Sequence, residues 1–148
     1  MKYFLIIFTI SWTFLSCSKE LSPEAQFDQD ISIIEQYLKD NNLTANVTPQ
    51  GIYYIIEVPG SDIKPKITNT VVANYTGYFT DGVVFDSGTK AEFPLYGVIE
   101  GWQIGIPKFG VGGKGKLLIP SRYAYGKSER PGRANAVLIF DIELLEIK

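Results

Sequence analysis

The stretch Thr70-Val71-Val72-Ala73-Asn74-Tyr75-Thr76-Gly77-Tyr78-Phe79-Thr80-Asp81-Gly82-Val83-Val84-Phe85 reads as strand, turn and strand. Asp and Gly suit the turn because Asp bonds its own backbone and Gly accepts positive φ; Val83-Val84-Phe85 then resumes the sheet. Upstream, Ile52-Tyr53-Tyr54-Ile55-Ile56-Glu57-Val58 is another strand, dominated by aromatic and β-branched residues and broken by Pro59-Gly60. Ser61 to Asn69, with Pro65, is a loop. Downstream, Ile99 to Lys108 is the only later segment with helical spacing. Ile99, Trp102 and Ile106 share a face there, while Gly101, Gly105 and Pro107 keep the helix short. Lys114 to Ile119 is a strand. Val137 to Ile147 alternates, with Leu138, Phe140 and Ile142 on one side and Asp141 and Glu143 on the other. The expected class is α+β: an antiparallel sheet with one short helix.

An amphipathic helix precedes this unit. Ser22-Pro23-Glu24 offers a capping hydroxyl, a proline allowed at the first helical position and an acid near the positive end of the dipole. Phe27, Ile31, Ile34 and Leu38 follow at i, i+4, i+7 and i+11, with Asp28, Glu35 and Lys39 in water and Asn41-Asn42 as a stop. Such a stripe serves equally for packing on the main domain or for homodimerisation.

The N-terminus reads as targeting. Lys2 precedes the apolar run Tyr3 to Leu15, shorter than the ~20 residues of a membrane-crossing helix but suited to a signal peptide. Phe14-Leu15-Ser16-Cys17 resembles the lipobox of bacterial lipoproteins. That resemblance implies a lipid on Cys17, the only cysteine, which would become the mature N-terminus. The alternatives are an ordinary signal peptide with an incidental cysteine, or an uncleaved anchor. Ser18, where lipoproteins of the inner membrane often carry Asp, favours the outer membrane of a two-membrane bacterium. The expected organisation is a signal peptide over 1–16, a lipidated N-terminus and linker over 17–22, helix and linker over 23–47, and the main domain over 48–148.

Composition excludes more than it assigns. The 148 residues are 45% apolar, enough for a core, and the formal charge of −2 comes without a dense basic stretch, so nucleic acid is not an expected partner. Cleavage before Cys17 removes Lys2 and takes the charge from −2 to −3. Without any histidine, the usual general base, the Ser-His and Cys-His pairs and the commonest metal ligand are missing. Neither metal nor cofactor is expected. Gly110-Val111-Gly112-Gly113-Lys114-Gly115-Lys116 has phosphate-loop composition but the wrong spacing, and it leads into a strand; it reads as a strand-entry loop.

Five strings in order resemble the FKBP family: Asn74-Tyr75-Thr76-Gly77, Asp81-Gly82-Val83-Val84-Phe85-Asp86-Ser87, Val98-Ile99-Glu100-Gly101-Trp102, Tyr123-Ala124-Tyr125-Gly126, and Leu138-Ile139-Phe140-Asp141-Ile142-Glu143-Leu144-Leu145. The resemblance spans about Thr48 to Lys148. It implies a curved antiparallel sheet wrapped around one short helix, and peptidyl-prolyl cis-trans isomerisation of proline-containing polypeptides. By matched position Trp102 is the pocket floor. Tyr75, Phe85, Val98, Ile99 and Phe140 are its walls, and Asp86 and Tyr125 are polar groups at its rim. Tyr75, Phe85, Asp86 and Tyr125 are thus the catalytic candidates, and Val98, Ile99, Trp102 and Phe140 the substrate-binding ones. Asp86 as a structural turn residue is the other reading.

Two departures from the family stand out. Lys127-Ser128-Glu129-Arg130-Pro131-Gly132-Arg133-Ala134-Asn135 is shorter and more charged than the usual aliphatic-proline flap, and Tyr96 falls where relatives often have Gly. The leading expectation is an isomerase assisting the folding of exported proteins. The alternative is a non-catalytic binding module in an envelope motility or secretion assembly, and a purely structural lipoprotein is a third.

Overall fold

Ser22 opens α1 (Pro23–Asp40): its side chain accepts the Ala25 N–H at 3.2 Å, and Pro23 occupies the first helical position. The helix stops where Asn41 donates from both backbone and side chain to the Tyr37 carbonyl, at 3.1 and 2.8 Å. Asn42 then takes φ +53°, a conformation Asn tolerates. This is a computed structural model, and it describes residues 20–148. The expected signal segment and Cys17 lie outside the described residues.

Six strands follow: β1 (Asn46–Val47), β2 (Tyr53–Val58), β3 (Thr70–Tyr78), β4 (Val84–Pro94), β5 (Lys114–Ile119) and β6 (Leu138–Ile147), with the helix α2 (Glu100–Gly105) between β4 and β5. They form one sheet in the order β1-β2-β5-β6-β3-β4, every neighbouring pair antiparallel. Thus β5 and β6 are central and β4 is a long edge.

The two faces are covered by different helices. On the inner face α2 places Trp102, and Ile106 just beyond it, against Leu117, Ile119, Leu138, Phe140 and Ile142. The approach is close: a Cβ on Gly105 would lie 2.6 Å from a Leu117 methyl, so glycine lets the helix settle there without displacing Leu117. On the outer face Ile34 of α1 packs with Leu118, Val137 and Ile139, flanked by half-buried Tyr37, Leu38, Tyr53 and Tyr78. Full burial of Ile34 contributes about 1.5–3 kcal/mol. The apolar stripe therefore lies on the chain's own sheet, the first of its two sequence readings. It also explains why β6 departs from simple alternation: Ile139 points outward but is buried because α1 lies over it.

The glycine-rich entry to β5 is consumed by backbone pairing. Gly110 N–H donates to Pro59 (3.0 Å), Gly112 N–H to Leu144 (2.7 Å) and Gly113 N–H to Gly110 (2.9 Å), so these donors are taken and the loop is a strand entry. Among the described residues no helix is long and apolar enough to cross a membrane.

Candidate functional site

Pairing irregularities between β3 and β4 decide which side chains reach the inner face. They fall between Ala73 and Tyr75 and between Gly77 and Tyr78. At the first, β4 carries an extra residue, and Asn74 satisfies the disturbed backbone by accepting the Lys90 N–H at 2.8 Å while its amide donates to Glu143 at 2.8 Å. Tyr75 then faces Gly88, and Gly77 faces Asp86. Facing residues project to the same side, so Asp86 joins Tyr75. At the second irregularity Phe85 is the extra residue. It packs 5.6 Å edge-on to Phe140 and 5.1 Å from Phe79. Gly77 leaves the space this needs, since a Cβ there would lie 2.7 Å from both the Phe85 and Phe140 rings.

The result is an apolar cavity of about 330 Å³ lined by Tyr75, Asp86, Phe93, Gly97, Val98, Ile99, Trp102, Tyr125 and Phe140. Trp102, only 4% exposed, meets Tyr75, Phe93 and Phe140 at 5.2, 5.4 and 5.3 Å between ring centres, all nearly perpendicular. Edge-to-face packing of this kind is favourable and geometrically specific. The indole N–H is the one buried side-chain donor without an acceptor among the described residues. Gln103 donates to the Val98 carbonyl at 2.8 Å and so ties α2 to the wall segment.

The rim is polar. Tyr75 Oη donates to Asp86 Oδ2 at 2.8 Å, and Asp86 Oδ1 accepts the Ser87 N–H at 2.9 Å. Burial first, then the bond to Asp86 and its charge, push the Tyr75 phenol up to about 12. It is therefore a proton donor throughout the physiological range. Tyr125 is 40% exposed at the mouth, on the segment after a 3₁₀ turn at Ser121–Tyr123.

The cavity brings together Tyr75, Asp86, Tyr125, Val98, Ile99, Trp102 and Phe140 of the sequence-derived set. Phe85 is outside the lining and supports Phe140 from behind. Phe93 and Gly97 belong to the lining although they were not among the expected site residues. Phe93 follows the odd bulge in β4, which hides its facing from a simple alternation count. Tyr96 is 68% exposed and outside the lining. The 127–135 segment contributes nothing to it either. Arg133 pairs with Asp81 at 2.8 Å and lies 4.1 Å over the Phe79 ring.

A second, larger cleft of about 540 Å³ occupies the outer face, lined by Glu57, Asn74, Lys114, Lys116, Asp141 and Glu143 among others. Both of its lysines are paired with acids. Lys114 pairs with Glu143 at 2.9 Å, and Lys116 pairs with Asp141, which also accepts from Tyr78 Oη at 3.1 Å. Among the described residues no group of three or more His, Cys, Asp or Glu is placed to hold a metal.

Residues 61–145 match the model of the FKBP-type peptidyl-prolyl cis-trans isomerase family. The chain belongs to that family. The FKBP-type peptidyl-prolyl cis-trans isomerase FkpA of Aeromonas hydrophila is 45% identical over 121 residues, which are 77% of this chain and 45% of that protein. The Escherichia coli FkpA is 40% identical over 119 residues, 77% of this chain and 43% of the relative. The chain thus spans less than half the length of these curated relatives. In structure, this FKBP-type chain superposes on crystalline E. coli FkpA with a TM-score of 0.72 at 36% identity, covering 84% of this chain and 64% of that one. It superposes on a peptidyl-prolyl cis-trans isomerase from Pseudomonas syringae pv. tomato with a TM-score of 0.74 at 27% identity, covering 87% and 98%. The FKBP-like sheet and short helix expected from the five strings are the observed fold.

Proposed function

We propose that this chain is a peptidyl-prolyl cis-trans isomerase acting on extended, proline-containing segments of exported proteins. The observation that carries this is the cavity itself: an apolar cage of Tyr75, Phe93, Trp102 and Phe140, of a size to take a proline ring, with Asp86, Tyr75 Oη and Tyr125 at its mouth. Rotation about the X-Pro bond is opposed by about 18–20 kcal/mol of amide resonance, and no bond is broken. No nucleophile is needed. Moving the amide from water into the cage favours the twisted, less polar transition state over the planar ground state. Asp86 and the aromatic edges face the turning carbonyl, and Tyr125 binds the peptide backbone. Trp102, Val98, Ile99 and Phe140 hold the ring, and Phe85 acts by fixing Phe140.

A protease-coupled assay on a proline peptide tests the reading. Wild type should be active, and Asp86→Ala should lose about tenfold in kcat/KM, the scale of one charge-assisted contact. Phe85→Ala should lose less. An inactive but folded wild type would sink the enzyme and favour the second reading, a binding module within an envelope assembly. One observation supports that second reading: Arg133 ties the charged 127–135 segment to Asp81, and the cavity is left without a flap.

We further propose that Cys17 carries a lipid that holds the protein to the outer membrane; Phe14-Leu15-Ser16-Cys17 supports this. Fatty-acid labelling should vanish in Cys17→Ser. Because α1 lays its stripe on its own sheet, a monomer is favoured over a homodimer through that helix, which a sedimentation measurement decides.

A further inference from the structure

Asp30 lies on the inward side of α1, among the apolar positions, and is completely buried. None of the ion pairs among the described residues includes it. Instead its Oδ1 accepts from Gln26 Nε2 at 2.8 Å, and its Oδ2 accepts both from the Ser121 backbone N–H at 2.7 Å and from Ser121 Oγ at 2.5 Å. A buried acid is costly unless such donors satisfy it, and a hydrophobic residue would pack this helix just as well. Asp30 therefore asks for an explanation beyond adhesion.

Ser121 supplies one. It begins the 3₁₀ turn Ser121–Tyr123, and its carbonyl accepts the N–H groups of Ala124 at 3.0 Å and Gly126 at 2.8 Å. Residues 121–126 are thus wound around Ser121, and Tyr125 stands between the two N–H groups that bond it. The same helix grips the next two residues: Arg122 lies 4.7 Å over the Phe27 ring, and Tyr123 meets that ring edge-on at 6.2 Å. Tyr125 is the lining residue of the cavity carried by this loop.

We propose that Asp30 is a positioning residue for the prolyl cavity, holding Ser121 so that Tyr125 is presented at the rim. The proposal rests on the isomerase reading above, and it makes α1, which precedes the 61–145 family match, a working part of the site.

The test is a double-mutant cycle on the full chain, with kcat and KM determined separately on a proline peptide well below each variant's Tm. Tyr125→Phe and Asp30→Ala should each lower kcat/KM, by about fivefold for one hydrogen bond, and the double variant should lose no more than either alone. Asp30→Asn, which keeps the shape and one acceptor, should recover part of the loss. Ile34→Ala, on the same helix but not touching Ser121, should lower Tm while leaving kcat/KM within twofold. Additive losses overturn the proposal, as does an equal loss of kcat/KM from Ile34→Ala, or no effect of Tyr125→Phe. Inactive wild type condemns the isomerase reading instead. The cycle is then run on the affinity for the same peptide, where non-additive losses support the positioning role and additive losses overturn it.

Discussion

The two clefts sit on opposite faces of the same strands, and consecutive residues feed them. Phe140 and Ile142 of β6 face inward while Asp141 and Glu143 face outward. The outer cleft is the larger, yet its two lysines are already paired with Glu143 and Asp141. The inner one is smaller and built of rings that enclose space without filling it. Volume alone would select the outer cleft; an apolar, ring-lined cavity with a few polar groups at its mouth selects the inner one.

That contrast breaks most readily at the floor. Trp102→Ala should cost about 3–5 kcal/mol in urea unfolding, because the surrounding rings are held by the rest of the core and cannot collapse into the gap. Turnover should vanish with it, and a loss under about 1 kcal/mol would mean the cage is not packed as described. The rim is tested by titrating Tyr75 from its ultraviolet absorbance. Its pKa is raised, so its contribution to stability is full below pH ~10 and disappears as pH rises through about 12. In Asp86→Ala the phenol should titrate lower, but not at the ordinary value, since burial is the larger cause.

On the outer face the effects should be small. Asp141→Asn should change stability by about 1 kcal/mol and leave kcat/KM unchanged, as suits a partly exposed pair. The least effect is expected at the β3–β4 turn. There the Val83 N–H, then Arg133, hold the Asp81 carboxyl below its usual range. Arg133→Ala should raise that pKa part of the way back by NMR titration, and any stability it supplies is lost as pH falls through the folded value. A large loss of turnover in either variant would give the outer face or the turn a functional role and dissolve the comparison.

What the sequence made legible follows the range of the interactions. β5 was readable to the residue and β6 to within one, because both run through the middle of the sheet and are rich in buried apolar residues. The run from Ser87 to Pro94 escaped because it is an edge strand, with Lys90 at φ +51° and exposed polar residues. β1 is too short to carry a period. At the site, family strings located the floor and rim. Phe93 and the supporting role of Phe85 depended on bulges that no alternation count reveals. Asp30 carried no signal in the sequence, since the group that justifies it lies 91 positions along the chain.

The bulges have one more consequence. Phe93 and Asp86 are an odd number of positions apart, so in a regular strand they would point to opposite sides, and so would the neighbours Phe85 and Asp86. The extra residue opposite Asn74 and the second beside Gly77 correct the parity, and all three serve one side of the sheet. β4 is thus tolerant in spelling and strict in length: a substitution there alters one side chain. Inserting or deleting a single residue between Asp86 and Phe93 would send one of those two side chains to the wrong face.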